Sequence, residues 1–382
     1  MQKLYETKEK SKRAFLVSIQ NGSRSDEFRA KELEGLSQSL GLEIIAHEKV
    51  RVREKSPKYG MGSGKAEEIS AKSGEMQADL LVLDWNQDVK TGQNGKFAVF
   101  PSPSQQKNWE ELCKIPVVDR QELIIRIFAD RASTKEAELQ VKLAEHTYYL
   151  PRLTHKYIDL SRQRGGRYGT KGSGETKFET DRRKIEKRIN QLEKEIELIA
   201  KQRQMQRKQR QRNKIPVCAI VGYTNAGKSS LLNALTGAGV QAQDKLFVTL
   251  DAVTRRFEPA VSVPVLLTDT VGFIKDLPHS LIKAFRSTLE EAALADILLH
   301  ILDASEPNIE NSYDTTLTVL RELGAQEIPM ITLLNKIDCL QEADAVQELQ
   351  NLFPGSIAVS AKNGEGLDVL KKRIVSMLGN QR

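Results

Sequence analysis

Four short strings in the C-terminal half carry the residue types that a phosphate-and-guanine site needs, in the needed order: GYTNAGKS from Gly222, DTVG from Asp269, NKID from Asn335 and SAK from Ser360. In the first, Gly222 and Gly227 flank Tyr223, Thr224, Asn225 and Ala226, and Lys228 and Ser229 follow. Glycines at those places let successive backbone N–H groups and a helix N-terminus converge on a β-phosphate. The Lys228 ammonium would reach the β- and γ-phosphates, and the Ser229 hydroxyl would ligate Mg²⁺. Asp269 offers a carboxylate to the same metal, while Thr270 and Val271 lead to the Gly272 amide, which would meet the γ-phosphate. Asn335, Lys336, Ile337 and Asp338 select the base. The Asp338 carboxylate accepts two hydrogen bonds from the guanine N1–H and N2 amino groups, whereas adenine leaves it partly unpaired. Ser360, Ala361 and Lys362 would close over the base from the far side. The combination implies a GTP site, and ATP fits it poorly.

Between the first two strings lies FVTLD, which contains Phe247, Val248, Thr249, Leu250 and Asp251. Thr249 would supply a second Mg²⁺ oxygen and a backbone amide to the γ-phosphate when GTP is bound; an exposed loop threonine is the alternative. Lys228, Thr249 and Gly272 are therefore the expected catalytic group. Phe273 stands where many relatives of this fold carry a glutamine that orients the attacking water. A phenylalanine cannot do so, and intrinsic hydrolysis should be slow until a partner, a cation or another residue completes the site. Asn225 is a candidate for holding K⁺ near the phosphates, as a similar asparagine does in several related GTPases; a plain turn residue is the other reading.

These groups need elements to hold them. The apolar, β-branched run 217–221 reads as a buried parallel strand, and SSLLNALTG from Ser229 has the apolar spacing of the helix that follows the phosphate loop. VPVLLTDT and MITLLN read as strands that deliver Asp269 and Asn335 to the same edge. Residues 215–382 are thus expected to form a P-loop GTPase domain of the α/β class with a mostly parallel sheet.

Upstream, AFLVSIQ, LEIIAHEKV, ADLLVLD and KIPVVD read as short strands with helices between them, a small parallel α/β subdomain over 1–118. GMGSGK from Gly60 to Lys65 resembles a phosphate loop only superficially, lacking both the first-glycine spacing and a strand before it. From Asp119 the pattern turns to long helices. One stripe through Leu123, Ile127, Ala137, Val141, Ala144 and Tyr148 is expected to end at Pro151, and a second helix over 176–213 to carry Phe178, Ile185, Ile189, Leu192, Ile196 and Ile199. The two form an antiparallel hairpin over 119–214. Their joining segment, 152–177, holds seven Lys or Arg, two acids and two tyrosines in a glycine-rich context. That is the composition of an RNA-contacting tip, with Arg162, Arg164, Arg167 and Lys171 as candidates. The run 201–214 has seven basic residues and no acid, and either grips RNA backbone or is a solvated, frayed helix end.

Charge divides the chain the same way. The whole 382 residues carry a net +7, but residues 1–214 hold 44 Lys and Arg against 31 Asp and Glu, and residues 215–382 hold 14 against 20. A net of +13 beside one of −6 suits a polyanion-binding half joined to a hydrolytic one. The length suits two or three domains. Three well-separated cysteines, no apolar leader and no run approaching a membrane span lead us to expect a cytoplasmic protein, acting as a monomer.

GSGKAEEI from Gly62, DRQELIIRIFADRASTKEAELQVKLAEHTYYLPRL from Asp119, GTKGSGETKFETDRR from Gly169, LFVTLDAVTRR from Leu246 and DTVGFIKDLPHSLIKAFRSTLEEAALAD from Asp269 together resemble the HflX family of ribosome-associated GTPases. The resemblance covers most of the chain. It implies an N-terminal α/β subdomain, a helical hairpin and a GTPase domain, with the large ribosomal subunit and its RNA as partner. It further implies that the hairpin tip reaches toward the peptidyl transferase region, and that GTP-dependent splitting or rescue of ribosomes under stress is the role. A hydrophobic residue at Phe273 is similar to the family pattern. The tip departs from it at Lys171, Ser173 and Lys177, where Arg, Pro and Gln are more usual, and with the sequence ending at Arg382 we expect the extra C-terminal domain of some relatives to be absent. Two other readings remain at this level: an RNA-remodelling ATPase or GTPase acting through the N-terminal half, and a ribosome-independent signalling GTPase, which the +13 half disfavours.

Overall fold

Short aliphatic runs that are apolar on both faces make parallel strands, because each must be covered by a helix on either side. Two such sheets form here. The computed structural model describes residues 11–20, 22, 26–52, 56–85, 101–163, 173–212, 215–237, 239, 246–247, 250, 252–258, 264–274, 285–342 and 344–379. The chain packs as two compact units, residues 1–127 with 148–183, and residues 128–147 with 184–382.

In the first unit, β1 (Arg13–Gln20), β2 (Glu43–Arg51), β3 (Leu80–Trp85) and β4 (Val117–Asp119) form a parallel sheet in the order β2-β1-β3-β4. Helices α1 (Asp26–Ser39), α2 (Ser63–Glu75) and α3 (Pro103–Cys113) connect them. Ser102 and Gln105 form a reciprocal capping box at the start of α3. That helix buries Trp109, whose indole N–H donates to the Tyr59 carbonyl at 3.0 Å. Arg29 pairs with Asp84 at 2.7 Å in the interior, and Arg120 pairs with Glu32. Burial opposes ionisation of Asp84, but the guanidinium groups of Arg29 and Arg120 outweigh it and hold the carboxyl below its ordinary range. The GMGSGK segment opens α2: Gly60 has φ +77°, Met61 is buried, and the Lys65 ammonium sits 2.8 Å from Glu68 on the same helix.

The helical region corrects two expectations. The stripe from Leu123 to Tyr148 is divided between α4 (Arg120–Arg131) and α5 (Lys135–Gln163), and α5 runs through Pro151 instead of ending there. Proline removes one helical N–H bond and crowds the preceding turn, so side chains on both sides must hold the helix. Arg152 does this: it bonds Asp119 at 2.7 Å and the Tyr148 carbonyl at 3.0 Å, with its guanidinium 3.5 Å from the Tyr148 ring centre. The Tyr148 hydroxyl in turn donates to Glu122 at 3.1 Å. The segment joining the helices is also shorter than 152–177, since α5 extends to Gln163 and α6 (Ser173–Arg212) begins at Ser173. Its polar residues are mostly adequate helix formers, and composition alone hid that. Arg162 therefore lies on α5, while Arg164, Arg167 and Lys171 lie outside the described residues.

The second unit has a six-stranded sheet of order β10-β9-β8-β5-β7-β6, built from β5 (Val217–Gly222), β6 (Val253–Phe257), β7 (Val265–Asp269), β8 (Ile297–Asp303), β9 (Met330–Asn335) and β10 (Ile357–Ala358). All pairings are parallel except β6 with β7. Helices α7 (Lys228–Thr236), α8 (Arg286–Ala293), α9 (Ile309–Glu322), α10 (Ala345–Leu352) and α11 (Leu367–Gly379) complete it. The core runs through Cys218, Ile220, Leu231, Leu267, Leu299, Leu333 and Ile374. Among the described residues no helix is long and apolar enough to cross a membrane.

His300 is fully buried in β8, stacked at 5.2 Å on Tyr313, and neither ring nitrogen has a hydrogen-bond partner among the described residues. Burial pushes its pKa down from 6.5 to about 3, so the folded protein keeps it neutral while the unfolded chain takes up a proton. Its contribution is full above pH 6.5 and is lost as pH falls from there toward 3. We expect the unfolding free energy to fall below pH 6.5 with a His300 component of up to about 1.4 kcal/mol per pH unit, and His300→Leu to remove that component in denaturant titrations across the range.

Candidate nucleotide site

In an open parallel sheet, ligands meet the loops at the carboxyl ends of the strands. Here β5, β7, β8 and β9 end at Gly222, Asp269, Asp303 and Asn335, and the residues singled out from the sequence gather at that edge.

The loop from Gly222 to Gly227 turns sharply before α7. Gly222 has φ +151°, and a Cβ there would lie 2.3 Å from the Ile301 carbonyl oxygen. Gly227 has φ +96°, and a Cβ would lie 2.3 Å from Asn335 Nδ2. Asn225 also adopts a positive φ, +63°, as a turn position demands. The loop is tied to the strand-β7 segment by backbone: the Phe273 N–H donates to the Gly222 carbonyl at 3.0 Å, and the Thr224 N–H donates to the Phe273 carbonyl at 2.7 Å. Phe273 itself is buried, so it serves as the wall on which the loop is mounted. Gly272 passes so close that a Cβ would meet Lys228 Nζ at 2.8 Å and Thr224 Cα at 2.9 Å.

The Lys228 ammonium is turned back onto the loop, donating to the Tyr223 carbonyl at 2.6 Å and the Gly222 carbonyl at 3.2 Å. Burial drives its pKa from 10.5 down to about 8, with Asp269 opposing and Lys336 reinforcing the shift. The Ser229 hydroxyl donates to Asp269 Oδ2 at 2.6 Å, which brings together two hard oxygen donors of the kind a Mg²⁺ ion takes. Thr270 fixes the end of β7, its hydroxyl donating to the Ile220 carbonyl at 2.7 Å, and Val271 is buried beside it.

Asn335 joins the loops. Its Nδ2 donates to the Ala226 carbonyl at 2.9 Å and its Oδ1 accepts from the Ala361 N–H at 3.0 Å. Lys336, at φ +65°, turns the chain so that Ile337 and the exposed Asp338 follow on a short 3₁₀ turn. The Ser360 hydroxyl donates to Asp338 Oδ1 at 2.6 Å, and that bond is the main reason the Asp338 carboxyl is held below its ordinary range. Lys362 is exposed next to the buried Ser360.

Two more of the expected residues are buried, and one residue joins the cluster. Phe247 and Leu250, expected to face the nucleotide, are buried, and the Phe247 ring packs on Phe128 at 4.7 Å. Val248, Thr249 and Asp251 lie outside the described residues. The added residue is Asp303, which receives the Lys336 ammonium at 2.6 Å and the Ser305 N–H and hydroxyl at 3.0 and 2.6 Å. Its position ending the apolar run ILLHILD was the available signal.

Comparison with known proteins places the chain among similar GTP-binding proteins. Three family models match: "GTP-binding GTPase N-terminal" over residues 27–129, "GTP-binding GTPase Middle Region" over 131–210 and "50S ribosome-binding GTPase" over 217–336. The chain is 44% identical to GTPase HflX of Caldanaerobacter subterraneus subsp. tengcongensis, over 95% of this chain and 79% of that protein. It is 43% identical to GTPase HflX of Akkermansia muciniphila over 98% and 86%, and 37% identical to that of Escherichia coli K12 over 99% and 85%. Among solved structures, the complex of SsGBP with GDP is 25% identical, with a TM-score of 0.51 over 97% of this chain and 99% of that one.

Asn335→Ala leaves the Ala226 carbonyl and the Ala361 N–H without their partner. We expect a cost of about 1–3 kcal/mol in the stability of this unit without nucleotide, read by denaturant unfolding.

Proposed function

The chain belongs to the HflX family of GTPases, whose activity is hydrolysis of GTP, and from that premise we propose that the large ribosomal subunit controls its catalysis. The observation that carries the catalytic part is the meeting of four loops at one sheet edge, three joined by the Asn335 amide and the fourth by the Phe273 backbone. In our reading Lys228 leaves the Gly222 and Tyr223 carbonyls for the β- and γ-phosphates, which are stronger partners for an ammonium. The N–H groups of the 222–229 loop and the Gly272 amide hold the phosphate oxygens, and Asp338 accepts from guanine N1–H and N2. Ser229, Asp269 and Thr249 would hold Mg²⁺, which neutralises charge on the β- and γ-oxygens. Water attacks the γ-phosphorus and the bond to the β–γ bridging oxygen breaks, leaving GDP and phosphate.

No side chain at position 273 is available to orient that water, since Phe273 is buried. In our reading an outside group completes the site, and the ribosome is our choice for three reasons. The family model over 217–336 is described as a 50S ribosome-binding GTPase, the first 214 residues carry a net +13, and the α5–α6 connection is basic. Arg162, Arg164, Arg167 and Lys171 are the proposed RNA contacts, and splitting or rescue of stalled ribosomes is the task we assign. We divide the chain functionally into an α/β subdomain (1–118), a hairpin (119–214) and a GTPase domain (215–382). Asn225 is the proposed K⁺ ligand. A nucleotide site in GMGSGK finds no support, since Lys65 is taken up by Glu68 and no strand directly precedes the segment.

GTP turnover measured with and without purified large subunits, in K⁺ and in Na⁺, is expected to rise on the order of tenfold or more with subunits, and more in K⁺. No stimulation in either salt would refute ribosomal control. Asp338→Asn is expected to weaken GTP binding about 10- to 100-fold and to improve binding of xanthosine triphosphate; unchanged selectivity would overturn the base assignment.

A further inference from the structure

Phe128 near the end of α4 meets two other phenylalanines edge-on. Its ring lies 4.7 Å from Phe247 at 89° and 4.6 Å from Phe285 at 76°. All three side chains are about 2% exposed. Edge-to-face pairs of this kind are geometrically selective as well as apolar, so they fix the direction of each ring.

The partners' places in the chain give the trio its meaning. Phe247 precedes Thr249 by two residues, and Phe285 is the residue from which α8 begins, after the segment that follows Gly272. Phe247 also has φ +57°, a conformation that a bulky residue holds only when its surroundings over-determine it. The Phe128 ring is such a surrounding. A second contact grips the same helix: Arg203 of α6 bonds Glu136 of α5 at 2.7 Å and lies 3.6 Å from Glu291 of α8.

We propose that Phe128 is a positioning residue for GTP hydrolysis. It holds Phe247 and Phe285 in one register, and through Phe247 it sets the chain two residues before Thr249. GDP needs only the 222–229 loop and the base-binding strings, whereas the ring contacts of Phe128 go to Phe247 and Phe285. GTP also needs the Thr249 and Gly272 contacts, and the trio holds the residue two before Thr249. The free energy that Phe128 contributes therefore falls on GTP and not on GDP. By reciprocity, a bound γ-phosphate favours the packed trio and so reaches α4.

The inference rests on the assignment of Thr249 and Gly272 to the γ-phosphate, and the test separates the two. Affinities of fluorescent GDP and of a fluorescent non-hydrolysable GTP analogue are measured for the full chain carrying Phe128→Ala and Phe128→Leu, together with single-turnover GTP hydrolysis. We expect Phe128→Ala to weaken the GTP analogue about tenfold and slow turnover while GDP affinity holds, and Phe128→Leu to restore most of both. Equal losses for the two nucleotides, or no loss for either, would overturn the proposal. Should Phe128→Ala fail to fold, Phe285→Leu, which alters the same contact from its other side, is judged by the same ratio. Thr249→Ala is the control: if it leaves the analogue-to-GDP ratio unchanged, the γ-phosphate assignment falls, whatever the Phe128 variants do.

Discussion

One buried amide holds the site together. Asn335 is 2% exposed and uses both ends of its side chain, donating to the Ala226 carbonyl and accepting from the Ala361 N–H. Only a group with a donor and an acceptor on one short stem can do both. A carboxylate would lose the first bond and bury a charge, and an aliphatic side chain would leave two buried backbone groups unpaired. The amide also dictates its surroundings. A Cβ at Gly227 would sit 2.3 Å from Nδ2, so glycine is required there for contact as well as for its φ of +96°. The loop from Gly222 to Gly227 and the turn from Asn335 to Asp338 are thus built as one object, more than 100 residues apart in sequence at that bond.

The charges of the site follow from that packing. Lys228 is buried where its charged form is disfavoured, and the carbonyls of Gly222 and Tyr223 compensate it. An ammonium kept on two neutral acceptors is ready to move to an anion, because charge-assisted bonds are stronger than those to carbonyls. Lys336, a second cation nearby, is balanced by Asp303 at 2.6 Å, and the Ser360 hydroxyl holds the exposed Asp338 carboxyl below its ordinary range. Ser229 and Asp269 stand ready in the same sense, already in contact at 2.6 Å.

The N-terminal unit uses buried charge for a different end. Arg29–Asp84 and Arg120–Glu32 are interior pairs around a parallel sheet, and Arg152 with Asp119 fastens α5 across its proline. Buried pairs of this kind contribute little net stability over apolar packing, but breaking one leaves an uncompensated charge inside. They therefore fix geometry. Asp119 shows the tension, since burial pushes its carboxyl up to about 6 in spite of the Arg152 guanidinium.

The sequence by itself determined the chemistry: the spacing of Gly222, Gly227, Lys228 and Ser229, the carboxylates of Asp269 and Asp338, and the parallel α/β class of both sheets are consequences of local pattern, since strands apolar on both faces and glycine turns are short-range features. It also marked Phe273 as unable to act on water. Tertiary structure alone decided the rest. Helix α5 passes Pro151 because Arg152 finds Asp119, 33 residues away in sequence. Phe247, which reads locally as a phosphate-loop neighbour, turns inward because Phe128 is there to receive it. Asp303 joins the site because strand order puts β8 beside β9. In each case the deciding partner is distant along the chain, and a hydrophobic period or a short motif carries no information about which distant side chain will fill a given space.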